Sequence, residues 1–319
     1  MSKVTLKEIA DQLGVSNSTV SRVLTNKGYV KQDKKAMIEK ALIENGYKHV
    51  PHRNASESVE DLILVICGDL THPVFMGYYR GISRTLEAQR LKVVAVDTAY
   101  DPAKEEQYLR YAAQKGLGGV IMTNVVETPG LLNLLNITAL PVILMNRYLR
   151  MKEMDNVLIN NFRGGILATE YLIRHGHKRI SHLAGPANST ASADRKNGYV
   201  DAMQHHELQI DDASIYYGDL SYDSGYQFGL MVAKAKDRPT AVFSANDVMA
   251  SGLVHALIDN GLKIPEDVSI ICCDNTKYAM SGPVQLTTVS YDALAMGEAA
   301  ADMLLERMQN KDLKIRSIV

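Results

Sequence analysis

The sequence predicts a small all-α head followed by a two-lobed α/β core with parallel sheets. Three observations support this fold class. The first 48 residues combine helical spacing of apolar residues with helix-capping residues. From Leu62 onward, short apolar runs alternate with helix-like segments. The two regions also differ in charge, because residues 1–53 contain ten Lys and Arg against five Asp and Glu, which leaves the other 266 residues with a net charge of −6.

These patterns divide the chain into three parts. We predict a helix-turn-helix domain at 1–48, a hinge or linker at 49–61 and a core at 62–319. Within the core, lobe one is expected at about 62–160 together with a late crossover segment, and lobe two at about 161–290.

Length and composition favour a globular protein that works in the cytoplasm. The chain has 319 residues, of which 46% are hydrophobic. No apolar run approaches the roughly 18 residues that a membrane span needs, and the first residues lack the apolar segment of a secretory signal. Three cysteines, Cys67, Cys272 and Cys273, lie in apolar runs without the spacing of zinc ligands. We therefore expect buried thiols, no metal, no cofactor and no membrane partner.

The basic head is predicted to hold three helices. Thr5 and Glu8 have the spacing of a capping box, and the helix that they begin ends at Gly14. Ser16 can cap a second short helix, and a third helix is expected from about residues 31–33 to Glu44. Two short helices joined at a glycine match the helix-turn-helix pattern, in which the second helix enters the major groove of DNA. A generic helical hairpin is the alternative.

The helix-turn-helix prediction assigns roles to the polar residues of the head. Asn17, Ser18 and Arg22 are the candidate base readers, because a guanidinium can bind guanine and an amide can bind adenine. A solvated surface charge is the alternative for Arg22. Phosphate contacts are expected from the lysines of residues 27–35 and from five residues with polar side chains, which are Thr5, Ser16, Thr19, Ser21 and Asn26.

The core is predicted to contain two similar series of βαβ units. Strands are expected at residues 62–67, 92–97, 119–123 and 142–145, and then at 179–184, 214–217, 241–244 and 269–273. Helices are expected near residues 76–89, 102–115, 130–135, 164–175, 193–206, 224–234, 247–260 and 294–309. Polar residues follow five of these strands, and open parallel sheets bind ligands beyond the carboxyl ends of their strands. Two facing lobes are therefore expected to hold a small molecule between them, with ordinary strand capping as the alternative.

In the head, this chain resembles the LacI/GalR family of bacterial transcription repressors. The matching segments are Val4 to Ala10, Gly14 to Ser16 and Thr19 to Leu24. The core is similar to the family's effector-binding core, which has a type I periplasmic-binding-protein-like fold. Its matching segments are residues 157–165, 176–180, 185–186, 195–199, 244–247, 264–269, 273–275 and 286–289.

The resemblance implies an effector site in the cleft between the lobes. Arg195 and Asp274 match the positions that commonly hold the effector, as a bidentate donor and a carboxylate acceptor. Other positions match cleft residues more loosely, and ordinary loop packing is the alternative for each of them: Phe75, Asn146, Arg147, Asn160, Phe162, Ser189, Ala191, Leu220 and Asn246.

Three features depart from the family pattern. Family members usually insert a leucine of the linker into the minor groove of the operator, but this linker carries three acids and no clear leucine for that role. Val59 is a candidate apolar wedge, and a simple polar linker is the preferred alternative. Leu220 stands where purine-binding members carry an aromatic ring, and Ser189 and Ala191 stand where they place purine contacts, which disfavours a purine effector. The end at Val319 also falls a little before the family's usual last strand, which suggests truncation.

The combined expectation is a homodimeric repressor of a sugar-utilisation operon. Its two heads would bind the halves of a pseudo-palindromic operator on double-stranded DNA, and a sugar or sugar derivative would control the affinity for that operator. A non-sugar metabolite or a partner protein is the alternative signal. An enzyme is disfavoured, because the chain has no phosphate loop, nucleophile elbow or zinc-helix motif. A transport sugar-binding protein would have no use for a basic head.

Overall fold

The computed structural model describes residues 4–25, 30–45, 47, 58–211 and 214–319. The chain forms two compact units, Met1–Ser58 and Val59–Val319. We call them the head and the core and describe each by itself. The core therefore begins three residues before the predicted start at 62. Asn26 and residues 48–57, which include most of the predicted linker, lie outside the described residues.

The described residues of the head form three helices around a small apolar centre. They are α1 (Leu6–Gln12), α2 (Asn17–Thr25) and α3 (Gln32–Glu44). Gly14 has φ +63°, a left-handed conformation that glycine adopts without a steric penalty, and it forms the turn between α1 and α2. The apolar centre is contributed by all three helices, through Ile9, Ala10, Val20, Val23, Ile38 and Leu42.

Lobe one of the core is a six-stranded parallel sheet with helices on both faces. Its strands are β1 (Leu62–Cys67), β2 (Lys92–Asp97), β3 (Gly119–Met122), β4 (Val142–Met145), β5 (Asn156–Val157) and β11 (Ser317–Ile318), in the order β11-β5-β4-β3-β1-β2. One apolar cluster packs the sheet against α4 (Pro73–Ala88) and α12 (Ala293–Gln309), and a second packs it against α5 (Pro102–Lys115) and α6 (Pro129–Ile137). The strands β1, β3 and β4 are buried on both faces, which accounts for their continuous apolar runs.

Lobe two repeats this arrangement with five parallel strands. They are β6 (Ile180–Ala184), β7 (Ile215–Tyr217), β8 (Ala241–Ser244), β9 (Ser269–Cys273) and β10 (Thr287–Val289), in the order β10-β9-β8-β6-β7. One face is covered by α7 (Asn161–Arg174) and α8 (Thr190–His205). The other face is covered by α9 (Tyr222–Lys234) and α10 (Asp247–Asp259), with α11 (Lys277–Ser281) beside α10.

The chain passes between the lobes at two points. It leaves lobe one after β5, through residues 158–160, and returns after β10, through residues 290–292. After the second crossover, α12 and β11 complete lobe one. Residues that follow strands of both lobes line one cavity, so both sheets point the carboxyl ends of their strands toward the region between the lobes.

The predicted fold class is confirmed. The helices α4, α7 and α8 begin three residues earlier than predicted, and the elements that were not predicted are short. The sequence patterns missed β5, β10, β11 and α11, each of two to five residues, because such runs are too short to show a period. Val59 lies in a short 3-10 turn, Val59–Asp61, and packs against the lobe-one cluster around β3. This placement does not support Val59 as a wedge for DNA.

Candidate functional site

The start of α1 is held by the predicted capping box. The Glu8 carboxylate accepts from Thr5 N at 2.7 Å and from Thr5 Oγ1 at 2.9 Å, and Glu8 N donates to Thr5 Oγ1 at 3.3 Å. These backbone and side-chain hydrogen bonds from Thr5 lower the pKa of Glu8.

One face of α2 presents the predicted base readers. Asn17, Ser18 and Arg22 are exposed, whereas Val20 and Val23 are buried on the opposite side. This is the amphipathic arrangement that a recognition helix needs, with its polar face available to base edges.

The other predicted DNA contacts differ in their surroundings. Ser16 Oγ lies 2.8 Å from Ser18 Oγ and 2.7 Å from Thr19 Oγ1, so hydrogen bonds connect these hydroxyls at the start of α2. Ser21 is half-buried rather than fully exposed. Asn26 lies outside the described residues.

The core contains a cleft between its two lobes. Its inner part is a cavity of about 40 Å³, which leaves room for about one water molecule. An outer cavity of about 460 Å³ shares Tyr100, Arg147 and Leu220 with the inner one. The two cavities therefore adjoin at these three residues.

An ion pair forms the centre of the cleft. Arg195 Nη2 donates to Asp274 Oδ1 at 3.2 Å, and both side chains are more than nine-tenths buried. The remaining nitrogens of Arg195 donate to Asn161 Oδ1 at 2.8 Å and to the carbonyl oxygen of Ala245. The guanidinium is thus oriented before any ligand arrives, which suits a binding group.

Hydrogen bonds connect the lobes directly across this centre. Asn246, which caps α10, lies with Nδ2 at 3.2 Å from Nε2 of His72, which caps α4. The Tyr291 hydroxyl donates to Asp274 Oδ1 at 3.2 Å and lies 3.2 Å from the hydroxyl of Tyr78 on α4. A ligand that enters the inner cavity must replace or rearrange these contacts.

A buried carboxyl group lies near the end of the cleft formed by lobe one. Glu105 accepts from Asn124 Nδ2 at 2.7 Å and from Val126 N at 3.1 Å. Burial raises the pKa of Glu105 to about 7, against the opposing effects of these hydrogen bonds and of Arg147. The group therefore carries only part of a negative charge at neutral pH.

The structure brings most of the predicted effector residues together. The two cavities are lined by nine of them, which are Phe75, Asn146, Arg147, Ser189, Ala191, Arg195, Leu220, Asn246 and Asp274. Among these, Asn146 and Leu220 have left-handed backbone conformations, with φ of +62° and +73°. Such strain in non-glycine residues often accompanies binding sites.

Two predicted effector residues, Asn160 and Phe162, line neither the inner nor the outer cavity. Asn160 uses its amide oxygen to cap α7, accepting from Arg163 N at 2.9 Å, and it lines a third, mostly apolar cavity of about 540 Å³ that shares Arg195 and Tyr291 with the inner one. Phe162 lies in the first turn of α7 with 41% of its surface exposed. The buried side of this turn is instead Asn161, which binds Arg195.

Sequence reasoning did not single out several residues that line the cleft. His72, Val74 and Ser192 lie within the strand-end segments 69–75 and 185–195, which were expected there, whereas Tyr100, Asn124 and Tyr291 lie outside those segments. Tyr100 and Asn124 lie just after β2 and β3, so the strand-end rule could have found them had it been applied to every strand. No local signal marks Tyr291, because it lies in the second crossover, whose position depends on the packing of both lobes.

The described residues were compared with the requirements of a metal site, of a membrane-spanning helix and of a reactive thiol. These residues contain no cluster of three or more His, Cys, Asp or Glu that could hold a metal ion. Within the same ranges, no helix is both long and apolar enough to span a membrane. The three cysteines are buried, and burial raises the pKa of Cys67 to about 11 and that of Cys273 to about 12.

The chain is similar along its whole length to characterised regulators. Residues 5–49 match the model of bacterial regulatory proteins of the lacI family, and residues 169–319 match that of the periplasmic binding protein-like domain. The transcriptional repressor PurR of Vibrio atlanticus is 30% identical over 97% of this chain and 93% of its own length. The operon regulator NtdR of Bacillus subtilis is 28% identical over 99% and 96%.

Solved structures of transcription regulators are also similar to this chain over nearly its whole length. The transcriptional regulator CelR in complex with cellobiose has a TM-score of 0.75 and 27% identity, over 99% of this chain and 96% of its own. The lac repressor dimer bound to operator and an anti-inducer has a TM-score of 0.74 and 24% identity, which shows a common fold.

Proposed function

The chain belongs to the LacI family of bacterial regulatory proteins and is a DNA-binding transcriptional repressor rather than an enzyme, and from this premise we propose that a sugar or sugar derivative bound between the lobes controls its affinity for an operator. The regulated genes would then be those that use this sugar. The proposed place of action is the cytoplasm, where operator DNA is found.

The pairing of Arg195 with Asp274 carries this proposal. A guanidinium donor beside a carboxylate acceptor in a buried cleft matches the donors and acceptors of sugar hydroxyls. The cellobiose complex of CelR, which is related over nearly the whole chain, supports a sugar. Leu220 offers an aliphatic surface rather than an aromatic ring, which supports a sugar over a purine.

Control of DNA binding requires two global states of the repressor. We propose a homodimer whose two heads bind the halves of a pseudo-palindromic operator, because the symmetry of the protein must match that of the DNA. Effector binding changes the direct lobe-to-lobe contacts at His72, Asn246 and Tyr291, and so favours one of the two states.

Thermal unfolding of the purified chain with a panel of sugars, sugar derivatives and nucleobases tests the effector. A ligand that binds only the folded state raises the unfolding midpoint. We expect a sugar or a sugar derivative to raise it, and Asp274→Ala to abolish the rise. Asp201→Ala removes an exposed carboxylate from α8 and serves as the control.

The same ligands are then added to a complex with an operator selected from random DNA. A ligand that changes operator affinity in the parent chain but not in Asp274→Ala supports the proposal. A nucleobase as the specific ligand would replace the sugar in the proposal, and the absence of any ligand effect would favour a partner protein as the signal.

Substitution of Arg22 tests the DNA-reading helix. Because Arg22 is exposed on α2, Arg22→Ala should weaken operator binding much more than binding to scrambled DNA, by about 1–3 kcal/mol. Lys34→Ala, on the exposed side of α3, is expected to weaken both by similar amounts and serves as the phosphate-contact control. Equal losses for Arg22→Ala on both DNAs would remove Arg22 from base recognition.

A further inference from the structure

Arg147 is a buried cation that lacks a paired anion. Arg147 lies two residues after the end of β4. It lines both cavities of the cleft and is only 3% exposed. Among the described residues, no carboxylate oxygen forms an ion pair with it within 4.0 Å, and its Nε has no hydrogen-bond partner. The ring centre of Tyr100 lies 5.8 Å from the guanidinium carbon.

The surrounding groups compensate this charge only in part. Burial lowers the pKa of Arg147, and Tyr100 and Glu105 oppose that effect. The Glu105 carboxylate is already occupied by Asn124 and the amide of Val126. A buried cation without a counter-charge is unfavourable, so its presence beside a cleft indicates that a ligand supplies the anion.

The N-terminus of α8 borders the same inner cavity. Ser189 caps this 16-residue helix, and Ser189, Ala191 and Arg147 all line the cavity. Tyr148 N donates to Thr190 Oγ1 at 3.2 Å, so the segment that carries Arg147 contacts the first turn of α8. Within the described residues, the amides of Thr190 and Ala191 have no acceptor, and free amides at a helix N-terminus favour anions.

The other unpaired groups of the cleft accept hydrogen bonds. Asn124 Oδ1 and Asn146 Oδ1 are buried without a donor among the described residues. In the outer cavity, Asp69, Asp97 and Asp219 already accept from backbone amides and can also accept from hydroxyl groups. A ligand that satisfies the whole cleft therefore has one anionic group and several hydroxyl donors.

We propose that the effector is an anionic sugar, a sugar acid or a sugar phosphate, whose charged group binds between the Arg147 guanidinium and the N-terminus of α8. This inference rests on the proposed function and narrows its ligand class. The hydroxyl groups of the sugar bind the amide oxygens of Asn124 and Asn146 and the Arg195–Asp274 pair. A carboxylate and a phosphate ester share the required charge, and the experiment separates them.

The first test uses inorganic phosphate and sulfate as probes. Each anion is titrated into the full chain at constant ionic strength, with chloride as the reference salt, and the unfolding midpoint is measured. We expect a saturable rise for the parent chain and no rise for Arg147→Met. Arg110→Met removes an exposed arginine from α5 and should retain the rise. The absence of a saturable response, or an equal response in Arg147→Met, overturns the proposal.

The second test compares matched ligands by calorimetry. Neutral sugars are paired with their uronic acids and with their phosphate esters. We expect one charged member of a pair to bind at least tenfold more tightly than the neutral one, and Arg147→Met to remove this difference. Tighter binding of the uronic acid assigns a carboxylate, and tighter binding of the ester assigns a phosphate. Neutral sugars that bind best to both proteins overturn the proposal.

The stability of the unliganded chain provides an independent readout. Loss of an unpaired buried charge should raise the unfolding midpoint of Arg147→Met by about 2–4 °C in the absence of anions. A midpoint below that of the parent chain would show that Arg147 is a structural residue. If no ligand changes the operator affinity, the proposed function is contradicted. If a neutral sugar changes the operator affinity, only the inference of an anionic effector is contradicted.

Discussion

Glu105 illustrates at the residue scale how the binding cleft affects stability. Its carboxyl group is completely inaccessible to solvent, and burial raises its pKa from 4.5 to about 7. The folded protein therefore binds this proton more tightly than the unfolded chain does. The resulting stabilisation is complete below pH 4.5 and is lost as the pH rises through about 7.

Glu105→Gln should remove this part of the pH dependence. The parent chain is expected to lose up to about 3 kcal/mol of unfolding free energy between pH 4.5 and 8 through this group. Chemical denaturation at several pH values measures both profiles, and the parent chain should lose unfolding free energy relative to Glu105→Gln as the pH rises. Glu106→Gln, at the next position of α5, controls for the lost charge. Parallel profiles for Glu105→Gln and the parent chain would contradict the prediction.

At the scale of elements, a glycine contact between α7 and α8 positions Arg195. A Cβ atom on Gly165 would collide with the carbonyl oxygen of Arg195, and one on Gly198 would collide with that of Phe162. The two helix backbones therefore approach closely at the turn of α8 that carries the ligand-binding arginine.

Two adjacent glycines of α7 allow a matched test of this contact. Gly165→Ala should destabilise the core by about 1–3 kcal/mol, because backbone atoms of α8 must move. Gly164→Ala should stabilise it by about 0.5–1 kcal/mol, because a Cβ there would meet only Val289 at 3.9 Å and alanine favours the helix. Thermal unfolding compares the two, and equal effects would rule out the close contact as the cause.

The capping box of α1 makes a similar prediction for the head. Thr5→Ala removes the acceptor of Glu8 N and should cost about 1 kcal/mol, whereas Thr5→Ser retains the hydroxyl. Hydrogen exchange of the α1 amides measures the local effect, with faster exchange expected only in the alanine variant. Unchanged exchange would show that the buried contacts of Ile9 and Ala10 hold α1 without the cap.

At the scale of the whole molecule, effector and operator must influence each other equally. If the effector changes operator affinity by a given factor, the operator changes effector affinity by the same factor, typically about 5- to 150-fold. Calorimetric titration of the effector with and without operator DNA measures one factor, and operator titration measures the other. Unequal factors would show that more than the two proposed binding events are linked.

The periodicity of the sequence was sufficient for most of the fold. Capping residues and apolar spacing predicted the three head helices, and alternating runs predicted eight of the eleven strands to within about one residue. The strand-end rule together with the family resemblance predicted Arg195, Asn246 and Asp274 in one cleft, and all three line the inner cavity. These features depend on local propensity and on the burial of one face, which a single sequence records.

Only the tertiary structure decided which groups in the cleft are paired. Arg195 meets Asp274 across 79 positions of sequence, whereas Arg147 has no carboxylate ion pair among the described residues. At the start of α7, Asn160 caps the helix and Phe162 is exposed, whereas Asn161 binds Arg195, and the rotation of this helix was not predictable from the sequence. The physical reason is that hydrogen-bond partners, burial and charge compensation depend on distant segments that meet only in the folded chain.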